Sequence, residues 1–184
     1  AQPQFNAPIA GRFRFDLPPL DEQRRIAEVL GTLDDLIERV EVESLAVSEL
    51  QGALFAKEVD GVKVTLAEIA SIDMGQSPPG DTYNHEGFGL PFHQGVRDFG
   101  KRFPITRVFC NAPKKRANAG DVLLAIRAPI GQLNVCREEV AIGRGLAAIR
   151  SSLPSTLLQA MRAASSYWHQ FESEGTVFAS VGRK

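Results

Sequence analysis

From Leu20 to about Phe55, apolar side chains return every seven residues. With Ile26 as position a, the a positions are Ile26, Leu33, Val40, Val47 and Leu54. The d positions are Val29, Leu36, Glu43 and Leu50, so only Glu43 breaks the stripe; Leu30 and Ile37 widen its first half. This period predicts a helix lying along another helix. About 35 residues at roughly 1.5 Å each make a rod of roughly 50 Å, longer than a small domain is wide. No second heptad run follows in the chain, so the expected partner is another chain. Pro18 and Pro19 hold the lead-in extended, and Asp21 and Glu22 sit in the first turn, where the helix dipole favours anions. Gly31 and Gly52 each cost about 1 kcal/mol relative to Ala, which tertiary contacts must offset.

The pattern changes on both sides of this helix. Phe13-Arg14-Phe15-Asp16-Leu17 alternates apolar and polar, as a short strand does, and is too small to fold without a sheet to join. After the helix, Val59-Asp60-Gly61 is a turn signal, and short apolar stretches then alternate with Gly and Pro. Strands are expected at 71–74, 90–95, 107–110, 122–126, 133–136, 140–142, 146–150 and 175–179. The continuously apolar 122–126 should be buried on both faces. One helical turn is expected at 66–70, and a longer helix from Pro154 to about Glu172, with Leu157, Leu158, Met161, Tyr167 and Trp168 available for its apolar face. The spacing excludes regular βαβ winding. The fold class is therefore α+β: one long coiled-coil-type helix followed by a mixed α/β domain rich in short strands. The boundaries fall at 1–19 for the lead-in, 20–58 for the helix and 59–184 for the domain.

Net charge refines this division. The whole chain of 184 residues carries −1, but residues 21–60 carry −7 and residues 61–184 carry +5. Eight basic residues lie between Arg97 and Arg127, against Asp98 and Asp121 alone. An acidic helix and a locally basic domain suit a protein partner for the first and a polyanion such as nucleic acid for the second. No apolar run approaches the length of a membrane span, and the N-terminus lacks a signal-peptide pattern, so a cytoplasmic protein without a membrane partner is expected. Cys110 and Cys136 lack metal-site spacing and read as structural thiols.

Catalytic patterns are missing. His85, His93 and His169 are far apart, with no metal-binding pair. There is no Gly-x-Ser-x-Gly elbow, and Gly143-Arg144-Gly145-Leu146 is only a fragment of a dinucleotide fingerprint. Ser77-Pro78-Pro79-Gly80 superficially resembles the Pro-Pro-aromatic loop of amino-methyltransferases, but Gly80 stands where the base-stacking ring belongs. Asp60, Asp73, Asp81 and Asp121 show no nuclease-like arrangement with a lysine. The expectation is a non-enzyme with no cofactor and no metal.

The words of the sequence carry a resemblance. Leu17-Pro18-Pro19-Leu20-Asp21-Glu22-Gln23-Arg24-Arg25-Ile26-Ala27, followed by Leu33-Asp34, resembles the helix opening in specificity subunits of type I restriction–modification enzymes. Met74-Gly75-Gln76-Ser77-Pro78-Pro79-Gly80, Leu90-Pro91-Phe92-His93-Gln94-Gly95, Gly120-Asp121-Val122-Leu123-Leu124, Arg127-Ala128-Pro129-Ile130-Gly131 and Ile142-Gly143-Arg144-Gly145-Leu146 resemble their target-recognition domains. The resemblance implies a non-catalytic DNA reader. In that family two recognition domains, held apart by two long antiparallel helices, each read half of a split sequence. The helices dock methyltransferase subunits, and the assembly recruits a restriction subunit. Catalysis would then reside in those partners.

This chain has one helix and one recognition domain, helix first. It therefore reads as half a subunit in permuted order, or as a fragment cut from the middle of one. The expected working unit is an antiparallel homodimer through Ile26, Val29, Leu33, Leu36, Val40, Val47, Leu50 and Leu54, with the 13–17 segment completing the partner's domain. Two readers on a two-fold axis imply an inverted-repeat site in double-stranded DNA. The candidate DNA-binding residues are Gln76, Ser77, Gln94, Arg97, Lys101, Arg102, Lys114, Lys115 and Arg116. The basic ones suit phosphates; Gln and some Arg suit base edges. Arg127 and Arg144, beside the turns at Pro129 and Gly145, are set apart as structural. The alternative is an adaptor that pairs with methyltransferase or full-length specificity subunits without binding DNA well alone.

Overall fold

The computed structural model describes residues 10–14, 16–58 and 63–171. They form two compact units, divided between Leu50 and Gln51. The long helix, α1, spans Leu20–Glu58, 39 residues, which at 1.5 Å per residue is roughly 58 Å. It starts on the Pro19 carbonyl, which accepts the backbone N–H of Glu22 at 2.9 Å and of Gln23 at 3.0 Å. The Gln23 side chain also reaches back, donating from Nε2 to the Pro18 carbonyl at 2.7 Å. The heptad side chains named above are 45–60% exposed within this chain. Gly31 and Gly52 have nothing within 4 Å of where a Cβ would stand, so no intrachain contact requires a glycine at either place.

The strand expected at 13–17 does not form on the described residues: Phe13, Arg14, Asp16 and Leu17 are irregular, and Phe15 lies outside them. A two- or three-residue apolar alternation has no ladder of its own, so it stays irregular without a sheet edge beside it. The turn at 59–61 and the strand at 175–179 lie outside the described residues.

The second unit begins with a single helical turn, α2 (Leu66–Ile69). Thr65 caps it: the Thr65 N–H and hydroxyl both donate to the Glu68 carboxylate, at 2.6 and 2.8 Å. Among the described residues nine strands follow, β1 (Ser71–Met74), β2 (Tyr83–Asn84), β3 (Leu90–His93), β4 (Phe109–Cys110), β5 (Arg116–Ala117), β6 (Val122–Ala125), β7 (Leu133–Val135), β8 (Val140–Ile142) and β9 (Leu146–Arg150). Two helices, α3 (Pro154–Ala163) and α4 (Ser165–His169), replace the single one expected. Tyr167 does not join their apolar face but stays 55% exposed, edge-on to Trp168.

The strands make two sheets. One is antiparallel throughout, in the order β1-β9-β6-β7; the other is mixed, β2-β4-β3-β8-β5, with β3 and β8 parallel. The period of two explains why 122–126 is apolar at every position. Val122 and Leu124, with Ala147 and Ile149 of β9, pack against Leu157, Leu158, Met161 and Trp168 of the helices. Leu123, with Leu146 and Ala148, packs the other way, against Ala117, Val140 and Ile142 of the mixed sheet. The antiparallel sheet is thus the middle of three layers, and a strand covered on both faces has no polar side to show. Asp121, just before β6, is 3% exposed; it accepts two bonds from the Arg150 guanidinium, at 2.9 and 2.6 Å, and ties the far end of β9 to this turn.

Candidate nucleic-acid interface

Strand direction decides which loops meet. β1, β6, β3 and β8 end at one rim of the two sheets, and β9, β7 and β5 start there. Backbone bonds stitch the rim across the sheets: Gly75 N–H to Leu146 O (2.8 Å), Gln76 N–H to Ile142 O (3.0 Å), Gly143 N–H to His93 O (2.9 Å), Gly145 N–H to Gln94 O (3.0 Å) and Ile126 N–H to Gly145 O (3.0 Å). The approach is close enough to need glycine. A Cβ on Gly75 would stand 2.1 Å from the Gly143 carbonyl oxygen, and one on Gly145 would stand 2.3 Å from that of Gln94.

Six of the sequence-derived candidates converge on this rim. Gln76 and Ser77 follow β1, Gln94 and Arg97 follow β3, and Lys114 and Lys115 lead into β5, the Lys115 carbonyl accepting the Ile142 N–H at 3.0 Å. The Ser77 hydroxyl accepts the Arg144 N–H at 3.3 Å. The other three lie elsewhere. Lys101 and Arg102 belong to a loop laid along the outer edge of β7, where Arg102 O accepts the Val135 N–H at 2.9 Å and the Asn134 amide donates to Gly100 O at 2.9 Å. Arg102 and Arg137 stack on the Phe103 ring, 5.5 and 3.9 Å from its centre. Arg116 opens β5, but its guanidinium pairs at 3.0 Å with Glu139, just before the start of β8 and away from the rim.

Two residues set apart as structural belong to the rim instead. Arg127 and Arg144 are exposed there, and among the described residues neither guanidinium pairs with a carboxylate. The signal was present: each comes two residues after the last residue of a buried strand that ends at the same rim. The rim thus carries Arg97, Lys114, Lys115, Arg127 and Arg144 against Asp73 and Asp98, and both carboxylates are already engaged. Asp73 meets Lys115 at 3.3 Å. Asp98, 3% exposed, accepts the Gln94 N–H at 2.7 Å and lies 3.6 Å from Arg97 and 3.8 Å from Arg107. The surplus is positive and at the surface, where it attracts anions. Between the loops lies an open hollow of about 490 Å³, with Gln94, Gly95 and Arg97 on one side and Arg127, Ala128 and Pro129 on the other.

No group of His, Cys, Asp and Glu among the described residues could hold a metal ion, and no helix among them is long and apolar enough to cross a membrane. Burial pushes the Cys136 thiol up to about 12, so it stays protonated at neutral pH. His93, 1% exposed below the rim, is held under the usual histidine range by burial, with Asp98 opposing; its Nδ1 has no hydrogen-bond partner among the described residues. A depressed native pKa means that the unfolded chain takes up a proton first. His93 therefore contributes stability that is full above the unfolded value near 6.5 and lost as pH falls from there through the native value. Urea titrations at pH 7.5 and 5.5 should show wild type weakening by at most about 1.4 kcal/mol per pH unit from this group. The His93→Gln variant should lose that slope; an identical pH dependence would contradict the assignment.

Comparison with known proteins agrees with this architecture. No family model matches the chain. A protein of Methanocaldococcus jannaschii named as the specificity subunit of the type I restriction enzyme MjaX is 34% identical over 173 residues, covering 82% of this chain and 41% of that protein. The crystal structure of the HsdS subunit from Thermoanaerobacter tengcongensis matches with a TM-score of 0.57 and 42% identity, over 82% of this chain and 43% of that one. A chain from a structural study of assembly and conformational transition in a type I restriction–modification system matches with a TM-score of 0.59 and 38% identity, over 90% of this chain and 45% of its own length. The fold is thus that of HsdS-like proteins, a long helix and a strand-rich domain. The chain is thus similar to part of the specificity subunits of type I restriction–modification enzymes and spans less than half the length of the relatives it matches.

Proposed function

We propose that the chain is a non-catalytic DNA reader, recognising half of a bipartite site through the rim of its strand-rich unit. The observation that carries this reading is the convergence of five cations and the Gln76 and Gln94 amides on one rim whose two carboxylates are already engaged. Cations at a surface hold phosphates, and amides read base edges. Two copies pair antiparallel through the exposed seam of α1, which fits the heptad period and the exposure of that seam within the chain. Pairing in that sense brings each lead-in beside the partner's recognition domain, where 13–17 gains the sheet edge it lacks alone. The acidic outer face of the helix is a surface for methyltransferase subunits, and those partners and a restriction subunit supply catalysis in the cytoplasm.

The net charge of −7 on residues 21–60 favours a second reading, an adaptor whose work is all protein–protein contact. Fluorescence anisotropy of the purified chain on duplex DNA, titrated with salt, separates the two. Binding that weakens steeply with salt supports the reader. Binding only after a methyltransferase subunit is added supports the adaptor.

A further inference from the structure

Gln94 differs from every other polar side chain at the rim in how it is held. Its N–H is fixed on the Asp98 carboxylate at 2.7 Å and its carbonyl on the Gly145 N–H at 3.0 Å. The preceding carbonyl, of His93, is fixed on the Gly143 N–H at 2.9 Å. The side-chain stem passes close over Gly143, where a Cβ would stand 3.1 Å from both the Cα and the Cγ of Gln94. The amide head beyond Cγ makes no hydrogen bond to another described residue, and it is not a buried orphan. It borders the hollow, with Arg97 beside it and Arg127 across. Gln76 has its backbone bonded to Ile142 but lines no such hollow.

A group that reads a base needs this combination. The backbone and stem must be immobilised beforehand, so that little side-chain entropy is lost on binding, and the polar head must be uncommitted. An amide offers one donor and one acceptor side by side, which match N7 and the N6 amino group of adenine in the major groove; guanine shows two acceptors there and suits arginine instead. The flanking guanidiniums suit the phosphates on either side. We infer that Gln94 is the specificity-determining residue of this rim and reads an adenine in the half-site. This rests on the DNA-reader function proposed above.

The test uses duplexes recovered by selection with the wild-type chain. Each adenine of the half-site is replaced in turn by 7-deazaadenine, which lacks the N7 acceptor. Wild type should lose about 10- to 100-fold in affinity at one adenine. Gln94→Ala should bind the unmodified site more weakly by a similar factor, become indifferent to 7-deazaadenine at that position, and keep the wild-type salt slope. Gln94→Glu, nearly isosteric and so a check on folding, should prefer cytosine there, whose amino group a carboxylate accepts. Arg127→Ala should do the opposite of Gln94→Ala, lowering the salt slope by about 1 and leaving the consensus intact. Undiminished sensitivity of the Gln94 variants at every adenine would overturn the assignment alone. A wild-type chain with no sequence preference would overturn the DNA-reader function, and the assignment with it.

Discussion

Replacing Leu33 and Val40 by aspartate should leave the chain monomeric at micromolar concentration in sedimentation velocity, where wild type should sediment as a dimer. Both side chains lie mid-seam and are about half exposed in the single chain. In an antiparallel pair each would face apolar residues of the partner, and two-fold symmetry doubles every substitution. An unpaired carboxylate forced into such a seam costs several kcal/mol, and each 1.4 kcal/mol is tenfold in affinity, so the dimer should weaken by more than about a thousandfold. Glu49→Gln, on the same helix but off the seam, should leave the dimer unchanged. The strand-rich unit has its own core, built from β6, β8, β9 and the two C-terminal helices, and should retain its cooperative unfolding in the double variant. A wild-type chain that is itself monomeric would remove the two-fold arrangement altogether.

The second large effect concerns charge. Substituting Arg97, Lys114 and Arg127 together by glutamine should reduce DNA affinity and flatten its salt dependence. The log–log slope should fall by roughly 0.9 for each phosphate that the variant no longer neutralises. Substituting Lys101 and Arg102 should leave that slope near wild type, because their loop lies along the edge of β7, away from the rim. The first set removes three charges and the second two, so the loss per charge removed separates a placed interface from a generally basic domain. Equal losses of affinity per charge from both sets would mean that charge acts at long range and that the rim holds no particular phosphates.

The long helix was legible because its signal is local and repeated: a seven-residue period needs no knowledge of what lies across the seam. β6 was legible for a related reason, since a run of apolar residues at every position fits only a strand covered on both faces. β2 and β5 were not, because two residues each show no alternation; they exist through their partners β4 and β8. The site was half legible. Gln94 and Arg97 stood out by type, but nothing in the sequence puts Arg127 across a hollow from them. That neighbourhood comes from strand direction, with β3 and β6 in different sheets ending at one rim. Arg127 and Arg144 looked structural because each sits beside a turn, and the turns turned out to be the rim. Lys101 and Arg102 looked like part of the same basic cluster because they are close in sequence, yet their loop folds back along β7.

The helix first visible as an unpaired stripe now has a length of roughly 58 Å, about 17 base pairs of B-form DNA. If it spaces two identical readers, the recognised DNA must be symmetric and interrupted. Selection of duplexes from a random pool by the purified chain measures this directly. The expected result is an inverted repeat whose half-sites are separated by a spacer of fixed length. Enrichment of one uninterrupted, asymmetric motif, or of no motif, would contradict it.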